Sequence, residues 1–274
     1  MKTNIPRMIW PEFSTGALTG SWDDGTLADR RLVGIYKANG LKATWNLNSG
    51  LLGKTQEETM FLSYVTKEEV SGLYEGQEVA CHSCFHPHLY HQPDALILAD
   101  MMQDRIALEE LVGYPIVGVV SPMTPAHNAR LTPLYQQAGF LHCRGSIEKG
   151  NYDVPDDFLN WNSTCHYNDD LLARWEDFET THRPGQLFYV YGHSYSLDMN
   201  NDWDTFESFA AKAGKTENIW HATLAEMVEY LYAWRTVRSS AAGNILKNTS
   251  HLTLYFVVDG KKAKLGPGEV FRFG

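Results

Sequence analysis

From its first residues to about Trp234 the chain alternates short apolar runs with longer amphipathic stretches. That pattern builds a parallel sheet or barrel from βα units. Seven runs have the length and apolar content of strands: 16–22, 42–47, 77–82, 116–120, 140–144, 187–191 and the short run 218–220. Between them the periodicity predicts helices over 27–39 closed by Gly40, over 94–111, over 128–138 closed by Gly139, and over 202–213 and 224–234. Thr66 and Glu69 form a capping-box pair that starts one more. The stretch 145–167 is rich in Asn, Asp and Pro without clear periodicity, and reads as a long excursion over one end of the sheet.

After Arg238 the pattern changes. Ser-Ser-Ala-Ala-Gly leads into a β-rich tail in which 251–258 and 261–265 flank Asp259-Gly260 as a hairpin, and Gly266-Pro267-Gly268 turns into a last strand over 269–273. The expectation is a main domain over 1–238 and a small C-terminal β extension over 239–274 packing on it. With 274 residues the chain suits one large α/β domain with such an appendage, and two full-sized domains would be cramped.

Composition narrows the class. The chain is 43% hydrophobic and 20% charged, ordinary for a soluble globular protein, and its net charge of -10 weighs against nucleic-acid or anionic-membrane partners. Residues 1–13 hold no apolar run fit for a signal peptide, and no stretch approaches the roughly 18 residues of a membrane helix, so the expected location is cytoplasmic. The 8 Trp and 14 Tyr could line a sugar cleft or fill the core. Cys81, Cys84, Cys143 and Cys165 are too few and too irregular for a disulfide framework, and the lone C-x-x-C lacks the second pair of a structural zinc site.

Three short motifs could carry chemistry. Ser21-Trp22-Asp23-Asp24-Gly25 sits where an apolar strand ends and a helix is about to begin. Two adjacent carboxylates there point in different directions, so one can bind a metal while the other reaches water; a polar turn with a helix N-cap is the plain alternative. His82-Ser83-Cys84-Phe85-His86-Pro87 again follows a strand, and histidines four apart can converge on one ion, though a pair alone is often coincidence. Tyr191-Gly192-His193-Ser194-Tyr195 puts another histidine at a strand end, as a proton donor or a satisfied structural histidine. Together the first two motifs offer two His and one Asp, leaving positions for water and substrate as catalytic metal sites require.

In that order these motifs resemble the polysaccharide deacetylases, the carbohydrate esterases that share a NodB-homology domain. S-W-D-D-G resembles that family's T-F-D-D-G, H-S-C-F-H-P matches its H-S-x-x-H-P, and His193 matches its late strand-end histidine, over roughly residues 15–235. The resemblance implies a distorted (β/α)7 barrel and one divalent ion, Zn first with Co, Ni or Mn as alternatives. By the same resemblance Asp24, His82 and His86 hold the metal, Asp23 is the general base and His193 the general acid. The substrate it implies is an acetylated carbohydrate, with N-acetyl hydrolysis ahead of O-acetyl. A related amidohydrolase acting on a small non-sugar amide or imide is the runner-up, and a carbohydrate-binding scaffold the reading from another class.

The family's third motif usually supplies an Arg ahead of a Pro to orient the catalytic Asp, but Val120-Ser121-Pro122-Met123 has none. Arg144 is the expected substitute, with a structural salt bridge as the alternative. The family's Asp-rich, Trp-containing motif is not evident, and Trp161 or His166, in the excursion where it would fall, are expected near the acetyl or sugar pocket.

Overall fold

Parallel pairing dominates the computed structural model, which describes residues 5–123 and 128–274; residues 1–4 of the N-terminal stretch read above lie outside these. The first strand, β1 (Arg7–Ile9), serves the C-terminal sheet, and the next nine form one parallel sheet. These are β2 (Gly16–Asp24), β3 (Ala43–Leu47), β4 (Glu78–Cys81), β5 (Gly118–Val120), β6 (His142–Glu148), β7 (Trp161–Ser163), β8 (Cys165–His166), β9 (Gln186–His193) and β10 (Ile219–His221). Their order is β7-β6-β5-β4-β3-β2-β9-β8, with β10 beside β2. Strands β7 and β8 are successive parts of one segment: β7 pairs with β6, β8 pairs with β9, and Thr164 between them donates its amide to the Tyr189 carbonyl at 2.7 Å. Residues 161–166 thereby carry the sheet from β6 round to β9, and the result is a nearly closed, distorted (β/α)7 barrel.

One strand expectation needs correction, and the strand expected at 218–220 is present as β10 but at a different place from the other six. The seventh stave is 161–166, inside the stretch read as an excursion, whereas 218–220 lies outside the ring: Ile219–His221 pairs only with Gly16, Ala17 and Leu18, below the part of β2 that pairs with β3. The segment W-N-S-T-C-H escaped notice because its polar side chains serve the ring's own backbone. Thr164 Oγ1 accepts from the Tyr189 amide at 3.1 Å and donates to the Asn151 carbonyl at 3.1 Å, so the strand needs no apolar run. Helices at Leu171–Thr181 and Ser194–Asn200 were also not foreseen, although Leu171, Trp175 and Phe178 have helical spacing and are all buried.

Alternation along the strands divides the molecule into two environments. Trp22, Trp45, Leu47, Val79, Val119 and Phe188 belong to the large apolar core that the helices cover. Ser21, Asp23, Thr44, Asn46, Glu78, His142 and Arg144 are also buried, but they meet one another inside the ring. Strands β2 and β6 are separated by β3, β4 and β5, so Arg144 reaches Asp23 only across the lumen. All four cysteines are buried and unpaired.

Beyond the helix Leu224–Arg235 lie β11 (Arg238–Ser239), β12 (Ile245–Lys247), β13 (Leu254–Val258), β14 (Lys261–Leu265) and β15 (Val270–Arg272). β11, β12 and β15 form one small sheet, and β14, β13 and β1 another. Asp259 and Gly260 both adopt positive φ, 53° and 72°, the two left-handed residues that a tight hairpin turn requires. The Tyr230 hydroxyl donates to the Ile9 carbonyl at 2.8 Å and accepts from the Tyr255 amide at 2.9 Å, joining these strands to that helix.

Candidate metal centre and active site

β2 ends in Asp23 and Asp24, and the chain turns sharply there. Asp24 has φ 82° and Gly25 φ 73°. A Cβ at Gly25 would meet Leu47 Cδ2 at 2.8 Å, so this second left-handed residue has to be glycine. A left-handed aspartate costs of order 1 kcal/mol or more, and such strain gathers at functional sites. The turn separates the two carboxylates. Asp23 points into the lumen and Asp24 toward the mouth.

Asp23 is gripped on both oxygens. Arg144 Nη2 donates to Oδ1 and Oδ2, and Asn46 Nδ2 donates to Oδ1 at 2.8 Å. Ser21 Oγ accepts from Asn46 Nδ2 at 2.8 Å and from Arg144 Nε at 3.0 Å, which fixes the fork, and the guanidinium lies 4.6 Å over the Tyr191 ring. Burial alone would raise the Asp23 pKa. The Arg144 cation, with His82 and His193 behind it, overturns that and holds the carboxyl well below the usual carboxylate range.

Asp24 has no such grip. Its Oδ1 is buried without a hydrogen-bond partner and faces His82 Nε2 and His86 Nε2, each at 3.5 Å. One ligand atom from each of Asp24, His82 and His86 lies within 4.8 Å of the others. His82 Nδ1 is 2.8 Å from the Val120 carbonyl, which can only accept, so Nδ1 carries the proton and Nε2 turns its lone pair to the centre. Burial, with Asp23 adding to it, pushes Asp24 up to about 6 against His193 and Arg144. Burial likewise lowers His82 to about 3, and His86 below its ordinary value. A buried acceptor without a donor, facing two imidazoles held neutral, is the electrostatic form of a divalent-cation site, and this donor set fits the metal that the sequence implies.

The loop carrying the histidines is braced from behind. Ser83 and His86 have φ 65° and 53°. Asn48 Nδ2 donates to the His82 carbonyl at 2.6 Å and the Ser83 carbonyl at 3.0 Å, and Asp104 accepts from the Ser49 amide at 2.9 Å and the His82 amide at 3.1 Å. Burial pushes Asp104 up to about 6. Asn46, Asn48 and Asp104 were not singled out from the sequence. Thr44 and Asn46 alternate along β3 and Asn48 keeps the same spacing just past its end, and that alternation was the available signal of a polar lumen.

His193 closes β9 in register with Asp23, its Nε2 3.9 Å from Asp23 Oδ2 and 4.0 Å from Asp24 Oδ2. Over Asp24 and His86 opens a cavity of about 490 Å³, walled in part by Phe61, Phe85, Met123 and Tyr195. That volume suits a small ligand. Trp161 does not line it: the indole is buried against Phe158 and Tyr189 in the core beneath the C-terminal helix, which corrects its placement at a pocket wall. His166 does not line it either. It bonds to Asn168 Oδ1, and its ring centroid lies 4.9 Å from that of Tyr191, edge to face.

Comparison with known proteins gives a family and a fold. Residues 13–142, which include Asp23, Asp24, His82 and His86, match the family model described as polysaccharide deacetylase. No curated protein matches the chain by sequence. Among solved structures it resembles a Mycobacterium smegmatis protein assigned as a polysaccharide deacetylase, with TM-score 0.58 and 17% identity over 85% of this chain and 96% of that one. Peptidoglycan deacetylase PdaC from Bacillus subtilis gives 0.52 and 17% over 83% and 95%. The Puue allantoinase gives 0.62 and 13% over 84% and 95%. At such identities these likenesses speak for the barrel alone; the family match over residues 13–142 and the motifs inside it support a NodB-homology domain of the polysaccharide deacetylase, carbohydrate esterase family 4-like kind.

Proposed function

We propose that this protein is a metal-dependent hydrolase that removes acetyl groups, N-acetyl in the first place, from a carbohydrate. The observation that carries the reading is the unpartnered Asp24 Oδ1 facing His82 and His86 while the neighbouring Asp23 is held anionic by Arg144. A divalent cation, Zn first and Co, Ni or Mn as alternatives, held by Asp24, His82 and His86 would polarise the amide carbonyl and acidify water. Water so acidified needs no strong base, which suits Asp23, whose pairing with Arg144 keeps it charged at the expense of proton affinity. Asp23 takes the proton from water, and His193, across the mouth, donates one to the departing amine. The products are acetate and a free amino sugar.

Arg144 is the positioning residue for Asp23 in this reading, the part that the absent third-motif arginine leaves open. The small-amide alternative draws only on the likeness to an allantoinase, which concerns the barrel.

The test is acetate release from acetylated chito-oligosaccharides by protein stripped with chelator and reloaded with Zn, Co, Ni or Mn. Activity that appears only after reloading, and an Arg144→Ala variant slower by roughly a hundredfold, are the expected results. Full turnover by the stripped protein, or by Arg144→Ala, would overturn the corresponding assignment.

A further inference from the structure

A second acidic centre lies beneath the mouth of the barrel and touches neither the metal ligands nor the cavity. Asp29, in the first turn of the helix Asp29–Ala38, is fully buried and has no cationic partner among the contacts of its carboxyl group. Ser194 Oγ donates to its Oδ1, and Tyr74 Oη donates to its Oδ2 at 2.6 Å. Ser194 Oγ is also 2.9 Å from Thr26 Oγ1. Thr26 stands two residues after Asp24, and Ser194 is the residue after His193, at the point where β9 passes into the helix Ser194–Asn200. One carboxyl group and two hydroxyls thus tie together the two chain ends that present Asp24 and His193.

The arrangement is costly in isolation. Burial, opposed by the hydrogen bonds from Ser194 and Tyr74 and reinforced by the charges of Asp24 and Asp23, pushes Asp29 up to about 7. An apolar residue at position 29 would avoid that cost while filling the same space, so packing alone does not account for a carboxyl there. Joining two strand ends that lie on β2 and β9 does: their backbones pair only as far as Asp23 and His193, and beyond that register Thr26–Ser194–Asp29 continues the link through side chains.

We infer that Asp29 is a positioning residue, which acts through Ser194 and Thr26 to hold His193 at its distance from Asp23 and Asp24. The inference rests on the reading of Asp23 as base, Asp24 as metal ligand and His193 as acid. Groups facing each other at about 4 Å are sensitive to small displacements, since about 1 Å of misplacement costs of order a hundredfold in rate.

Three variants separate positioning from packing: Ser194→Ala, which cuts the link to His193, Asp29→Asn, which trades the carboxylate acceptor of that link for a weaker neutral amide, and Tyr74→Phe, which removes the other hydrogen bond to Asp29 and leaves that link intact. Two quantities are read on the metal-loaded, full-length protein: the imidazole NMR signal of His193, assigned by its loss in His193→Ala, and kcat and KM for acetate release. The expected result is a displaced His193 signal and a kcat lower by roughly tenfold or more in Ser194→Ala and Asp29→Asn, with KM within about twofold of the parent, and a near-parental Tyr74→Phe. Should Asp29→Asn not fold, Ser194→Ala, which deletes one hydroxyl, carries the test. An unmoved His193 signal in Ser194→Ala, or an equal effect in Tyr74→Phe, overturns the inference. A moved signal in a parent protein that releases no acetate leaves the positioning role standing and removes the proposed reaction instead.

Discussion

The two ends of the barrel lumen are built from the same residue types and treat them in opposite ways. At the start of the strands Glu78 is 5% exposed, and its carboxylate is fully engaged: Oε1 is 2.9 Å from His142 Nε2, and Oε2 accepts from Thr44 Oγ1 at 2.7 Å and the Ala225 amide at 2.9 Å. At the strand ends Asp24 is 7% exposed, and its Oδ1 has no partner. Burial raises both pKa values by itself. His142 and the hydrogen bonds reverse it for Glu78, which ends below the usual range, whereas nothing in the chain reverses it for Asp24, which ends at about 6. Equal burial with opposite satisfaction separates a carboxylate that closes the floor of a barrel from one that waits for a ligand. The floor Glu78 thus meets an amide in the first turn of the helix Leu224–Arg235, that of Ala225, where a negative charge is favoured.

The largest effect expected from breaking this contrast is at the mouth. Asp24→Asn should abolish stoichiometric binding of divalent metal, read by elemental analysis, and lower acetate release by roughly a thousandfold or more, while the melting temperature without metal stays level or rises because a poorly satisfied buried carboxyl has gone. A parallel loss of stability would mean that the mouth is as structural as the floor. Glu78→Ala should do the reverse. It strands His142 and the helix start, so unfolding in denaturant should show a loss of about 3–5 kcal/mol, with kcat per folded molecule little changed.

Smaller, but of opposite sign at the two ends, is the response to pH. Glu78 has a depressed folded-state pKa, so its stabilisation is present above its ordinary value of about 4.3 and is lost as pH falls through the lower folded value. Asp29, raised to about 7, contributes stability that is present below about 3.9 and lost as pH rises through 7. Between pH 4 and 7 the parent protein should therefore lose a few kcal/mol on this account, and Asp29→Asn should reduce that slope, leaving the share of Asp24 and Asp104 and the acid limb unaltered. An unchanged slope would place the titration elsewhere in the mouth.

Local chemistry made the reacting groups legible. Asp23-Asp24-Gly25, His82 with His86, and His193 each stand where a strand stops, and a strand end is visible from apolar runs and the turn residues that follow. The capping box at Thr66 and the Asp259-Gly260 hairpin were legible for the same reason, because their interactions span a few neighbouring residues. The lumen was harder to read. Arg144 was expected opposite Asp23, but the parts of Asn46 and Ser21 in holding it were not, because a polar residue pointing into a barrel looks, on paper, like one pointing into solvent.

The chain by itself thus determined the alternation of strands and helices, the order of the three motifs and the identity of the groups that could bind a metal, since each depends on residue type and short spacing. Only the tertiary structure decided that 161–166 rather than 218–220 completes the ring, that Trp161 belongs to the core, that Arg144 crosses the lumen to Asp23, and that Asp29 joins two strand ends. Those outcomes depend on which distant segments share a lumen and which buried polar atoms find partners there, a balance of desolvation and hydrogen bonding that no local pattern records.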